Sequence, residues 1–229
     1  MLFRSAASEL KKCTNLIKWA INKKTPLPVL ENYLIVVNND TATIRATDLE
    51  STAEVKLWSA ESETATWEGT KGEYSFIINP IVLKGRDDDE VLTFDIVAAD
   101  KLKVTSTDKS KVELVTYPFD EFPIVGNEYK KCIYALSLRE PEINCLSKAH
   151  TFIGKDEIRP VMSGVCINFL NVKKELRIAG TDAHSLYMAA RPVKLPPKFT
   201  GERLQIIIPS VICQQITTLT TTVLLVNND

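Results

Sequence analysis

Few residues in this chain are suited to chemistry. It carries two histidines and eight glycines in 229 residues. Its five cysteines form no CxxC pair, and no His/Cys spacing suits a metal ion, so no metal site and no cofactor are expected. The glycines are scattered, with neither GxxxxGK[ST] nor GxGxxG, which argues against a phosphate-cradling loop. No apolar run approaches membrane-spanning length, and the opening MLFRSAASELKK has no apolar core of a secretory signal. Cys13, Cys145, Cys166 and Cys213 sit in apolar helix or strand patterns and read as small core residues in a reducing cytoplasm. At 45% hydrophobic and 25% charged residues, the composition is that of a soluble globular protein long enough for two domains.

What the chain does have is a motif that occurs twice. Pro28-Val29-Leu30 opens a strand that leads to Thr47-Asp48, and Pro160-Val161-Met162 opens one that leads to Thr181-Asp182. The copies read PVLENYLIVVNNDTATIRATDLES and PVMSGVCINFLNVKKELRIAGTDAHS. A helix-like stretch precedes each, at 5–22 and 138–151, and a strand running through Pro into a short helix follows each, at 75–86 and 205–216. A repeat of this size implies one structural unit built twice. Short β-rich segments at 33–37, 43–46, 53–57, 75–78, 91–97, 102–107 and 112–116 are separated by Asn, Asp, Gly or charged turns. Each unit is therefore predicted to hold two helices on antiparallel sheets, an α+β arrangement. Proline and glycine in 118–128 place the boundary there, with domains 1–126 and 127–229. Only 222–226 follows the second short helix, so two strands of the second unit are expected to be missing and the chain reads as a fragment or a shortened relative of something longer.

A net charge of −1 says little about partners, but its distribution says more. Leu10, Cys13, Ile17, Ala20 and Ile21 follow helical spacing and mark a buried face. Lys11, Asn15, Lys18 and Asn22 form a stripe on the other side, in a segment with Lys12, Lys23 and Lys24 and one acid, Glu9. Two readings stand at this point: a face for a polyanion, or a solvated face that is basic by chance.

LPVLENYLI, ATDLES, TDKSKVELVTYPFDEFP, DEIRPVMSGV and GTDAHSL, in this order and with the internal repeat, resemble the bacterial sliding clamp, the beta subunit of DNA polymerase III. The resemblance runs along essentially the whole chain. Complete members have three such domains, and two chains close head to tail into a ring around duplex DNA, with helices lining the hole and sheets forming the outer wall. It implies a processivity factor with no catalytic centre, acting in the cytoplasm at the nucleoid. The implied partners are double-stranded DNA, DNA polymerase III alpha, the clamp loader subunits and a second copy of the clamp, with no membrane. Phosphate contacts of this kind carry no sequence information, so a ring can slide.

The resemblance assigns DNA contact to Lys11, Lys18, Lys23, Lys24 and Lys155, the last in a loop where Asp156 and Glu157 depart from the family pattern. It also implies the second-domain wall of a peptide pocket: Arg159, Met162, Thr181, Ala183, His184 and Leu186. Met162 and Leu186 supply adaptable apolar surface, Arg159, Thr181 and His184 polar contacts, and Ala183 replaces the family's usual glycine. The other walls are not in this chain, so weak peptide affinity and no normal ring are expected of it alone.

Two other classes compete with this reading. Asp182, His184 and Ser185 hold the residue types of a hydrolase, but neighbours on a strand point to opposite faces. The first copy carries Asp48-Leu49-Glu50-Ser51 at the same place, so the Thr-Asp element reads as a turn whose carboxylate binds backbone N–H groups. His150 is expected to pack at its helix end, and the acidic run 87–90 to be a solvated turn. The remaining alternative is a clamp relative that acts as an adaptor without a ring.

Overall fold

The computed structural model describes residues 2–21, 25–39, 41–49, 51–59, 73–108, 110–123, 134–154, 159–193, 202–218 and 221–226. The chain divides into two compact units, Met1–Val125 and Gly126–Asp229.

The first unit runs β1 (Leu2–Ala6), α1 (Ala7–Ile17), β2 (Tyr33–Val37), β3 (Thr41–Thr47), β4 (Thr52–Ser59), β5 (Tyr74–Ile78), β6 (Val91–Ala98), β7 (Lys101–Thr105) and β8 (Lys111–Val115). These strands form two antiparallel four-stranded sheets, β1-β6-β7-β8 and β4-β3-β2-β5. Period-two alternation sends Tyr33, Ile35, Val37, Ala42, Ile44 and Ala46 inward, where they meet Leu10, Cys13 and Ile17 of α1. Phe3, Phe76 and Phe94 tie strands of both sheets together, with ring centroids 5.6–6.1 Å apart. A smaller cluster covers the opposite face of the β2–β5 pair. There Val29, Leu30, Leu34 and Ile77 lie beneath Phe122, with Tyr117 packed alongside.

The second unit runs β9 (Tyr134–Arg139), α2 (Glu140–His150), β10 (Gly164–Leu170), β11 (Glu175–Thr181), β12 (Leu186–Pro192), β13 (Arg203–Pro209), α3 (Ser210–Ile216) and β14 (Thr221–Val226). The sheet β12-β11-β10-β13 repeats β4-β3-β2-β5 strand for strand, and β14 pairs β9 as β6 pairs β1. Val165, Ile167, Leu176, Ile178 and Ile208 face α2 and α3. Gly180 lets α2 approach: a Cβ there would stand 2.0 Å from the Ala149 carbonyl oxygen. His150 ends α2 as the sequence suggests, its Nε2 2.8 Å from Ser210 Oγ at the start of α3.

The α+β fold class holds, with corrections at the ends of elements. Pro28-Val29-Leu30 and Pro160-Val161-Met162 do not open strands. They form 3₁₀ turns, Pro28–Glu31 and Pro160–Ser163, because the fixed φ of proline suits a helical start. In the first copy Asn32 locks the turn, its Nδ2 donating to the Pro28 carbonyl at 3.0 Å and its Oδ1 accepting from Asn79 at 2.9 Å. The short helix expected after β5 is a single 3₁₀ turn, Pro80–Leu83, whereas its counterpart α3 is a true helix. Helix α1 stops at Ile17 and continues as a 3₁₀ turn to Ala20.

Candidate functional site

Lys12 and Asn15 on α1 and Lys18 at the start of the 3₁₀ turn are exposed, and Lys18 Nζ reaches Asn15 Oδ1 at 3.4 Å. Lys11 is differently placed. Its ammonium donates to Asp88 Oδ1 at 2.7 Å and to the Arg86 carbonyl oxygen, which fastens the helix to the 86–90 turn. That turn is built around Glu90, whose carboxylate accepts from Ser106 Oγ, the Asp87 N–H and Arg86. These bonds, the Ser106 hydroxyl first, hold the Glu90 carboxyl below the usual carboxylate range. The acidic run is thus a turn in which Glu90 is tied down by hydrogen bonds and half-buried, while Asp87, Asp88 and Asp89 are exposed. Lys23, Lys24 and Lys155 lie outside the described residues.

The second group of predicted residues is brought together by two turns. Arg159 is exposed at the head of the Pro160–Ser163 turn, and Met162 is half-buried within it. Gly154 N–H donates to the Met162 carbonyl at 2.9 Å, and a Cβ on Gly154 would lie 3.7 Å from both Met162 Cβ and Asp182 Cα. Gly154 is therefore the joint between the Met162 turn and the Thr181–Ser185 turn, a role with no signal in the sequence beyond its being a glycine. Ala183, His184 and Leu186 are exposed, and Thr181 is half-buried.

The Thr-Asp element is the same device in both copies. Thr181 Oγ1 donates to the Ser185 carbonyl at 2.7 Å and accepts from Ala183 N–H at 3.1 Å. Asp182 Oδ1 accepts from the N–H groups of Ser185 at 2.6 Å and His184 at 2.9 Å. In the first copy Thr47 Oγ1 donates to Ser51 O at 2.9 Å, and Asp48 Oδ1 accepts from Ser51 N–H at 2.6 Å. The Ser185 and His184 amides hold the Asp182 carboxyl below its ordinary value. Its oxygen is thereby committed to backbone, which is the geometry of a turn and not of a charge relay. Among the described residues no group of three His, Cys, Asp or Glu side chains could hold a metal ion, and no helix is long and apolar enough to cross a membrane.

Two repeated α+β units of this topology define the clamp fold. DNA polymerase III beta from Streptococcus pneumoniae matches at a TM-score of 0.83 and 20% identity, over 99% of this chain and 60% of that one. The subunit from Pseudomonas aeruginosa matches at 0.79 and 20% identity, over 100% of this chain and 60% of that one. The beta sliding clamp of Vibrio harveyi is 28% identical over 123 residues, 54% of this chain and 81% of that protein. Residues 1–126 match the family described as DNA polymerase III beta subunit, N-terminal domain. The chain belongs to that family. It spans 60% of the length of the solved structures named above.

Proposed function

We propose that this protein acts in DNA replication as part of a sliding clamp that encircles duplex DNA and holds a polymerase to it. The observation that carries the reading is membership of the beta-subunit family across residues 1–126. The two units serve as successive clamp domains, 1–126 and 127–229, of a head-to-tail dimeric ring in the full-length protein. Lys18, exposed just past the end of α1, supplies a phosphate contact that neutralises charge without reading bases, and Lys23, Lys24 and Lys155 extend it. Lys11 adds to the local field from its place beside Asp88.

The second half of the reading is capture, by this wall, of short peptide motifs from polymerase and clamp-loader subunits. Met162 and the 64%-exposed Leu186 offer apolar surface, while Arg159 and His184 offer polar contacts at its edge. No residue acts catalytically in this scheme. The test is retention on DNA: full-length protein loaded onto a closed circular duplex should stay bound and be released when the circle is linearised. Equal retention on both forms, or on neither, overturns topological binding.

A further inference from the structure

Between the start of β5, the β6–β7 hairpin and the segment that follows β8, the first unit holds a cavity of about 560 Å³. Every residue that lines it belongs to that unit. The volume falls in the range of sites that take small organic molecules, roughly 300–1,000 Å³. Val37, Phe76 and Leu102 are buried and form the floor, with Ile96 half-buried beside them. Tyr74 and Phe76 share one face of β5, their rings 19° from parallel and 6.5 Å apart between centroids. Phe119 stands at the mouth, 49% exposed. The walls are fixed in advance. Tyr74 Oη donates to the Leu2 carbonyl at 3.1 Å, which holds its ring in place. Thr116 is a clasp: its N–H donates to the Asp100 carbonyl in the hairpin turn, and its Oγ1 to the Ile77 carbonyl on β5, both at 2.8 Å. Hairpin and strand are thus tied together around the space, so binding has little left to order.

The chemistry of the walls selects the ligand. Asn38 Oδ1 accepts from the N–H and the hydroxyl of Thr41, so with Tyr74 and Thr116 it is already engaged inside the protein. Ser75 adds a hydroxyl. Glu73 and Lys101, both exposed, set one charge of each sign beside the opening. An anion drawn to Lys101 meets Glu73, and a cation drawn to Glu73 meets Lys101. Either ion would also lose its hydration on moving in towards Val37, Phe76 and Leu102, where apolar side chains replace the water. An uncharged molecule escapes both costs.

We infer that this cavity is a binding site for an uncharged aromatic molecule of about two or three rings. Its rings lie against Tyr74, Phe76 and Phe119 in offset or tilted contact, and a single hydroxyl or amine of the ligand meets Ser75. The ligand bridges β5, the hairpin and the segment that carries Phe119, so its binding holds the three together and stabilises the first unit by mass action. The site shares no residue with the α1 lysines or with the Met162–His184 wall, and it does not depend on the clamp reading.

The test uses the full chain and N-phenyl-1-naphthylamine, a neutral dye that brightens in apolar surroundings. Its emission should rise and saturate at a single molecule per chain, and the melting temperature of the first unit should climb as it does so. Ala98→Trp sets a large side chain at the opening from an exposed position, and Phe119→Ala removes an exposed ring. Each should weaken binding several-fold while the circular dichroism spectrum stays that of the parent. Glu73→Gln and Lys101→Gln should each change it less. The anilinonaphthalene sulfonate dye, which carries the same rings with a negative charge, should bind several-fold more weakly. Met188→Glu, at an exposed position of the second unit, should leave binding as it was. Emission that does not saturate, or that neither Ala98→Trp nor Phe119→Ala weakens, overturns the proposal. Equal binding of the sulfonate overturns the choice of an uncharged ligand. Loss of binding in Met188→Glu puts the dye on the second unit and overturns the site.

Discussion

Leu49 and Ala183 hold the same left-handed backbone conformation, with φ of 77° and 74°, at the same point of two copies of one turn. Each follows a Thr-Asp pair whose side chains take up the turn's amides and carbonyl. A residue with a Cβ is disfavoured there by roughly 1–2 kcal/mol, and only part of that is returned when glycine must be ordered instead. Ala183→Gly should therefore stabilise the second unit by about 0.5–1 kcal/mol. Urea denaturation measures this directly, and a lower midpoint for Ala183→Gly would contradict the account of the turn.

Gly180 is the opposite case, a position where an added methyl group has nowhere to go. The carbonyl oxygen of Ala149 would sit 2.0 Å from its Cβ, and both partners are backbone of packed elements. Gly180→Ala should push α2 off β11 and destabilise the second unit by about 3 kcal/mol or more, as overpacking does at its severe end. The first unit has its own core and should keep its thermal transition. A single unchanged melting curve for the variant would sink this reading of the helix–sheet contact.

How much of this was legible beforehand depends on the range of the interaction. The repeat, the helices, most strands and the Thr-Asp turn were readable because alternation, helical spacing and Asx bonding are set within a few residues. The 3₁₀ character of the proline turns was missed, since Pro suits a strand entry and a helical turn alike. Lys11 looked like a free member of a basic stripe. Its partner Asp88 lies 77 residues away and comes near only once β6 has paired with β1.

Acid should loosen both turns. The carboxyls of Glu90 and Asp182 are depressed by the hydrogen bonds they accept, so each contributes stability above its unfolded value, near 4, that is lost as pH falls through the lower folded value. Stability should be flat through neutral pH and fall below about pH 4. Asp182→Asn should blunt the part of this fall that belongs to the second unit. A parent protein whose melting temperature rises on acidification would show the sign to be wrong.

Thiol chemistry should be ordered by burial. Burial pushes the Cys213 thiol up to about 11, and burial raises Cys13 and Cys166 as well. Cys166 alone among the described cysteines is not buried, so access favours it over the others. Alkylation at mildly alkaline pH followed by peptide mapping should find Cys166 modified before Cys13, Cys145 and Cys213. Early modification of Cys213 would mean that the α3–β10 contact opens readily in solution.

Lys11 of α1 and Lys18 in the 3₁₀ turn that follows it should behave differently in DNA binding. Lys18 ends in solvent and reaches Asn15 of α1, while Lys11 is tied to Asp88 and the Arg86 carbonyl. A phosphate contact contributes close to one unit to the slope of log binding constant against log salt. Lys18→Ala should lower that slope by about 0.9 and leave stability within about 0.5 kcal/mol of the parent. Lys11→Ala removes an ion pair with an exposed partner and a bond to a carbonyl. It should cost up to about 1 kcal/mol in unfolding while changing the salt slope less than Lys18→Ala. Titration of each variant against duplex DNA at several salt concentrations, beside its denaturation curve, separates the two effects. If Lys11→Ala flattens the slope as much as Lys18→Ala at unchanged stability, then Asp88 does not hold Lys11 in solution, and both ammonium groups meet the duplex.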